Sequence, residues 1–166
     1  MPSSLSKMIT SEQWDRVVQL CQGSPSEAKK WTTRQGFFEG MKDANVLPIH
    51  EALVAGAPFN IIEALLHAYP DSVFCKESSY QRLPLHCACR KNAVSEVVDL
   101  LLRKYSDAAL TPDSLGRLPR KLNCACSHHS LLIALYNMAK ELSDEVNTYR
   151  DSDGYHSDLL LDHEER

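Results

Sequence analysis

The sequence lacks the long apolar runs that mark membrane-spanning segments. No stretch approaches the roughly 20 apolar residues that a transmembrane helix needs. The first ten residues contain a single lysine and no apolar core, so no secretory signal is indicated. We therefore expect a cytoplasmic or nuclear protein that does not engage a membrane.

Recognisable catalytic motifs are also lacking. The sequence contains no P-loop, no nucleophile elbow, no HExxH zinc motif and no pair of carboxylates in a plausible pocket motif. No residue stands out as a nucleophile or a general base. We expect no enzyme, no cofactor, and no catalytic or metal site.

Negative charge is concentrated at one end of the chain. Residues 143–166 contain eight acids and two bases, a net charge of −6, whereas the whole chain carries −4. The rest is thus only mildly basic, which is too weak to predict nucleic-acid binding. We expect residues 143–166 to form an acidic, disordered tail. Its apolar triplet, residues 159–161, leaves three alternatives: a partner motif, a segment that folds back on the protein, or a frayed end.

The six cysteines allow one alternative function. In a cytosolic chain of this size, free buried thiols are a better default than disulfides. A metal- or redox-binding role would use Cys87, Cys89, Cys124, Cys126, His128 and His129. Against it, the spacing is C-x-C rather than the C-x₂₋₄-C that is usual for zinc. Cys89 and Cys124 also match the apolar position of Leu53 in the repeat described next.

An internal repeat dominates the sequence. The segment LPIHEA at 47–52 recurs as LPLHCA at 83–88 and, more weakly, as LPRKLN at 118–123. In the segments that follow, 58–69 and 94–105, apolar pairs lie four residues apart and predict a helix with one buried stripe. Each unit is then a short helix that begins with proline, a turn, a longer helix and a loop. Such units bury their apolar faces only by stacking.

These motifs resemble the ankyrin repeat family. Pro-Leu-His-x-Ala at 84–88 and Pro-Ile-His-x-Ala at 48–52 are similar to its signature, and the LPLHxAC wording is similar to divergent ankyrin repeats common in diatoms and related algae. The resemblance covers residues 12–142. It implies an all-α fold, a short ankyrin-type helical repeat solenoid with β-turn or hairpin finger loops. It also implies a non-catalytic protein–protein interaction module or scaffold.

The repeat gives a division of the chain into segments. We expect a flexible N-terminus at 1–10, a repeat domain at 11–142 and the tail at 143–166. The repeat domain divides into an N-terminal half-repeat (11–46), two repeats (47–82 and 83–117) and a C-terminal capping repeat (118–142). The first loop holds nine extra residues, which predicts an enlarged, aromatic finger.

One turn position is shared by the three loops. It is held by Asn45, Gln81 and Gly116. Glycine and asparagine tolerate a positive φ, whereas glutamine does not. The second turn is therefore expected either to relax or to be strained.

The resemblance places a binding surface on the concave face, on the loops and the exposed side of the short helices. We predict that a partner contacts Trp31, Phe37, Phe38, Val54, Tyr80, Arg82, Arg90, Lys91, Leu115 and Arg117. Aromatic and arginine side chains are enriched in binding hot spots, and the basic centre favours another protein with an acidic segment. We expect a monomer that binds no nucleic acid. His50 and His86 lie at one repeat position, and the resemblance implies that they are structural hydrogen-bonding residues.

Overall fold

The computed structural model describes residues 3–37 and 42–119 as a stack of three helix pairs. The pairs are α1 (Ser4–Thr10) with α2 (Trp14–Gly23), α3 (Pro48–Val54) with α4 (Phe59–Ala68), and α5 (Pro84–Arg90) with α6 (Ser95–Lys104). A 3₁₀ turn follows each pair, at Pro25–Lys29, Pro70–Phe74 and Ser106–Ala109. The expected all-helical repeat fold is confirmed.

The helices form two rows that share one core. In the inner row α1 contacts α3 and α3 contacts α5, while in the outer row α2 contacts α4 and α4 contacts α6. The apolar pairs of both longer segments are buried between the rows, at Ile61, Ile62, Leu65 and Leu66 in α4 and at Val97, Val98, Leu101 and Leu102 in α6. The helices predicted within 58–69 and 94–105 are thus present.

The short inner helices begin in the same way. Proline occupies the first turn of α3 and of α5, where a missing N–H has no intrahelical partner to lose. The imidazole Nδ1 of His50 accepts a hydrogen bond from the Leu47 backbone N–H at 3.2 Å, and His86 accepts one from Leu83 at 3.2 Å. The Leu-Pro-x-His motif thus defines where each inner helix begins.

The N-terminus differs from the expectation. Residues 4–10 form helix α1, in which Leu5 and Ile9 are buried and which contacts α3. The prediction of a flexible segment at 1–10 is therefore wrong for these residues, since the apolar side chains of α1 cover the end of the inner row. The first unit is also a full helix pair and not the half-repeat predicted at 11–46.

The three loops that follow the 3₁₀ turns are named here the first finger (31–46), the second finger (75–82) and the third finger (111–117). The first finger contains an antiparallel pair of strands, β1 (Thr32–Arg34) and β2 (Ala44–Val46), with Thr33 opposite Asn45. Asn45 therefore lies in a strand and not at the turn position that the repeat predicted. In the other fingers that position does take a positive φ, +57° at Gln81 and +70° at Gly116.

Two predicted segments lie outside the described residues, which end at residue 119. They are the capping repeat predicted at 118–142, apart from its first two residues, and the acidic tail predicted at 143–166. Within the described ranges the longest helices have ten residues, and none is long and apolar enough to cross a membrane.

Candidate functional site

A buried carboxylate organises the second finger. Glu77 is 1% exposed, and each of its oxygens accepts two hydrogen bonds. Oε1 accepts the backbone N–H groups of Tyr80 and Arg82 at 2.9 and 3.2 Å, and Oε2 accepts the N–H and hydroxyl of Ser79 at 2.6 Å each. The Glu77 N–H donates to the Arg82 carbonyl at 3.0 Å and closes the loop. The finger is held from inside by one side chain.

Asp113 has the same role in the third finger, 36 residues later. Its Oδ1 accepts the backbone N–H groups of Leu115 and Arg117 at 2.9 and 3.0 Å, and its own N–H donates to the Arg117 carbonyl at 2.9 Å. Its Oδ2 accepts the Nε–H groups of Arg82 at 3.3 Å and Arg117 at 3.0 Å. Burial by itself would raise the pKa of this carboxyl, but the backbone hydrogen bonds and the bond from Arg82 outweigh it and lower the pKa.

Neighbouring fingers are joined by hydrogen bonds between their backbones and short side chains. Ser78 N–H donates to the Asn45 carbonyl at 3.2 Å, and Asn45 N–H donates to Ser78 Oγ at 2.8 Å. Between the second and third fingers, Ser114 N–H donates to the Tyr80 carbonyl at 2.7 Å. The ion pair of Arg82 with Asp113, both fully buried, adds a second connection there. The three fingers therefore form one continuous edge.

The Tyr80 ring lies where the three fingers meet. The Lys42 ammonium of the first finger is 5.0 Å from the ring centroid, and the guanidinium carbons of Arg82 and Arg117 are 4.5 and 5.8 Å from it. Cations at such distances are attracted to the ring face. We name the four residues Lys42, Tyr80, Arg82 and Arg117 the Tyr80 junction.

Three of the predicted contact residues are not available to a partner. Phe37 and Tyr80 are each 6% exposed, and Arg82 is 0% exposed. The prediction that these side chains contact a partner directly is wrong: Arg82 is buried because it pairs with Asp113, and Phe37 because it joins the core. Phe38 lies outside the described residues.

The remaining predicted residues occupy two ends of the inner row. On the finger side, Trp31 and Leu115 are 48% and 59% exposed, and the Arg117 side chain is 33% exposed. Lys91 is exposed and Val54 and Arg90 are half-buried at the other end of the inner helices. Each of these helices has seven residues, so about 10 Å along the helix axis separates the two ends. The predicted residues thus lie at both ends of the inner helices, and their contact with a partner stays a prediction.

The two repeated histidines are structural. His50 is fully buried, and its Nε2–H donates to the Cys75 carbonyl in the second finger at 3.1 Å, which connects α3 to the finger that follows α4. Burial lowers the pKa of His50 and of His86 to about 4, so both imidazoles are neutral at pH 7. The Trp31 ring stands beside His50, with centroids 6.4 Å apart.

Cys87 and Cys89 are free, buried cysteines. Burial raises the pKa of the Cys87 and Cys89 thiols, that of Cys89 to about 12, whereas zinc binds the thiolate. In residues 3–37 and 42–119 no three His, Cys, Asp or Glu side chains are grouped so that they could hold a metal ion. Cys124, Cys126, His128 and His129 lie outside that part of the chain.

Sequence reasoning missed four residues that build this surface: Lys42, Glu51, Glu77 and Asp113. The acids at 77 and 113 recur one repeat apart, which was a usable signal for a shared role. Glu51 is 3% exposed and accepts hydrogen bonds from Ser6 Oγ at 2.9 Å and Thr32 Oγ1 at 2.8 Å. Nothing in the repeat pattern marks Glu51 or Lys42, because both depend on the long first finger.

Comparison with known proteins supports the repeat assignment. The sequence model of the ankyrin repeat family matches residues 80–112, a range that includes α5, α6 and the 3₁₀ turn after them. A search of curated proteins finds no match to the chain. The matched range begins in the second finger and ends in the third, so it contains one complete unit of the stack. Residues 80–112 are therefore similar to an ankyrin repeat, and they lie within a stack of helix pairs that is consistent with an ankyrin-type helical repeat.

Proposed function

We propose that this protein is a non-catalytic scaffold that binds an acidic segment of another protein on its finger side. Ankyrin repeats typically bind other proteins and are generally non-enzymatic. The proposal extends this to one face, formed by the fingers and the inner helices. It also assigns the protein to the cytoplasm or nucleus and to a monomeric state.

One observation carries the proposal: on the finger side the acids point inward while the lysines remain in solvent. Glu77 and Asp113 are buried and bonded to backbone amides, whereas Lys42 and Lys76 are exposed. Lys91 adds an exposed charge at the other end of the inner helices. In the described part of the first finger Asp43 is exposed, and its Oδ1 accepts the Gly36 N–H at 3.1 Å. An approaching partner therefore meets an excess of positive charge, which accelerates the association of acidic ligands. High salt screens this attraction and should lower the association rate.

Two exposed apolar side chains give this face an anchor besides charge. Trp31 presents about half of its surface to solvent, and Leu115 projects from the tip of the third finger. Tryptophan is among the residues that contribute most to binding energy at protein interfaces. We assign Trp31 the largest single contribution to affinity on this face.

The test uses the full chain as bait in affinity purification with quantitative mass spectrometry. Trp31→Ala combined with Arg90→Glu and Lys91→Glu should reduce recovery of the specific partner at least about tenfold, the loss expected for a hot-spot residue and two reversed charges. Lys104→Glu on the outer helix α6 is the matched control and should retain the partner. If the partner is recovered equally from the triple variant and the control, binding takes place on another face.

A further inference from the structure

We propose that the Tyr80 junction is a subsite for carboxylate side chains, in which Lys42 and Arg117 contact the ligand. The inference rests on the proposed function, because it names the point at which an acidic partner is held. It adds Lys42, a residue of the first finger, to a site otherwise formed by the second and third fingers.

The geometry brings cations from all three fingers to one ring. Lys42, Arg82 and Arg117 lie 5.0, 4.5 and 5.8 Å from the Tyr80 centroid. Since Lys42 and Arg117 approach the same ring, neighbouring Asp or Glu side chains of one segment can contact both. The three cations come from positions 42, 82 and 117, so only the folded stack assembles the subsite.

The carboxylates of the junction are already engaged. All four oxygens of Glu77 and Asp113 accept two hydrogen bonds each, and seven of these eight donors are backbone N–H groups or Arg82 and Arg117 Nε–H groups. Among the described residues Lys42 makes no ion pair with either of them, and its ammonium lies over the Tyr80 ring. Three cations thus face two carboxylates, and the excess positive charge lies at the exposed Lys42.

Burial makes the subsite rigid on one side and open on the other. Tyr80 and Arg82 form the buried floor, while Lys42 is exposed and Arg117 is one-third exposed. Charges beside a low-dielectric surface interact more strongly than charges in bulk water. A carboxylate bound here therefore gains more than it would from an isolated surface lysine such as Lys76.

The test is a titration of the full chain with a synthetic peptide of alternating Glu and Ser, and with the same peptide carrying Gln for Glu. Lys42→Glu should weaken binding of the Glu peptide about tenfold, because it removes one attraction and adds one repulsion. Lys104→Glu on the outer row should change it less than about threefold. Tyr80 ring proton shifts, followed by NMR, should respond to the Glu peptide and not to the Gln peptide.

A charge-swap arm excludes an indirect effect of the substitution. Lys42→Glu should bind a Lys–Ser peptide better than the wild-type chain does. Lys42 is exposed, so the variant should keep the wild-type unfolding midpoint in urea.

Three outcomes separate the subsite from the proposed function. Equal affinities of Lys42→Glu and Lys104→Glu for the Glu peptide would overturn the subsite. If Arg90→Glu with Lys91→Glu abolishes binding in that case, the proposed function stands without the subsite. Equal affinities of the wild-type chain for the Glu and Gln peptides would overturn both.

Discussion

The two short fingers and the long first finger stabilise their loops differently. In the second and third fingers, one buried acid, Glu77 or Asp113, collects the free backbone N–H groups of the turn. In the first finger the strands β1 and β2 pair with each other, and the acid is Glu51 on α3, which binds Thr32 and Arg34 from the side. A short turn cannot satisfy its amides by pairing, so a side chain must accept them.

The comparison relates the length of each finger to the position of the acid that stabilises it. In the short fingers the acid belongs to the loop itself and recurs with the repeat. In the long finger the strands β1 and β2 pair with each other, and the acid on α3 connects the finger to α1 through Ser6. The first unit thus depends on a residue of the second unit for the position of both its inner helix and its finger.

The largest expected effect is that of acid, which acts on the buried histidines of α3 and α5. The unfolded imidazoles take up protons near pH 6.5, whereas burial holds the pKa of His50 and His86 near 4. Between these values the unfolded state binds more protons, so the free energy of unfolding falls as the pH falls. Urea unfolding should show a loss on the order of 5 kcal/mol between pH 7 and pH 4. Constant stability across that range would show that the imidazoles have the same pKa in the folded and unfolded states, which would contradict their burial as neutral groups.

Asp113→Ala should be the most damaging single substitution in the short fingers. It removes the acceptor of two backbone N–H groups and leaves Arg82 as a buried charge without its carboxylate. Loss of one partner of a buried ion pair costs about 3 to 5 kcal/mol. Urea unfolding measures the change, with the exposed Asp107→Ala as the control that should lose less than about 0.5 kcal/mol. Similar losses for the two variants would contradict the role of Asp113.

Glu51→Ala should act on the first unit alone. Ser6, Thr32 and Arg34 lose their shared acceptor, which should cost about 2 kcal/mol. Hydrogen exchange should show faster exchange in α1 and β1, with unchanged protection in α5. Glu63→Ala on the outer helix α4 is the control. Uniform loss of protection over all three units would show that the first finger is not an independent element.

The smallest expected change in unfolding free energy comes from substitutions at the turn position that the two short fingers share. Gln81 has a φ of +57° and Gly116 a φ of +70°. Gln81→Gly should stabilise the protein by about 0.5 to 1 kcal/mol, and Gly116→Ala should destabilise it by about 1 kcal/mol. A Cβ at Gly116 would meet no atom within 4 Å, so its cost is conformational alone. Changes of equal sign in the unfolding free energy would contradict this comparison.

The second and third helix pairs could be predicted from the sequence, because the repeated motif and the spacing of apolar residues determine them. The Leu-Pro-x-His motifs gave the starts of α3 and α5, and the apolar pairs gave α4 and α6. The site was harder to predict, because exposure of a loop residue depends on its partners. Arg82 was predicted to be a contact residue, yet its pairing with Asp113, 31 residues away, buries it. Lys42 became relevant only when the first finger was seen beside Tyr80.

The inward carboxylates have a consequence for protein engineering. Glu77 and Asp113 fix the course of the finger backbone from beneath, so the outward side chains at positions 42, 76 and 115 contribute little to folding. These positions can be randomised in a library without loss of the scaffold. Selection for a new ligand can therefore proceed at the rim, provided that the two acids and Arg82 are kept constant.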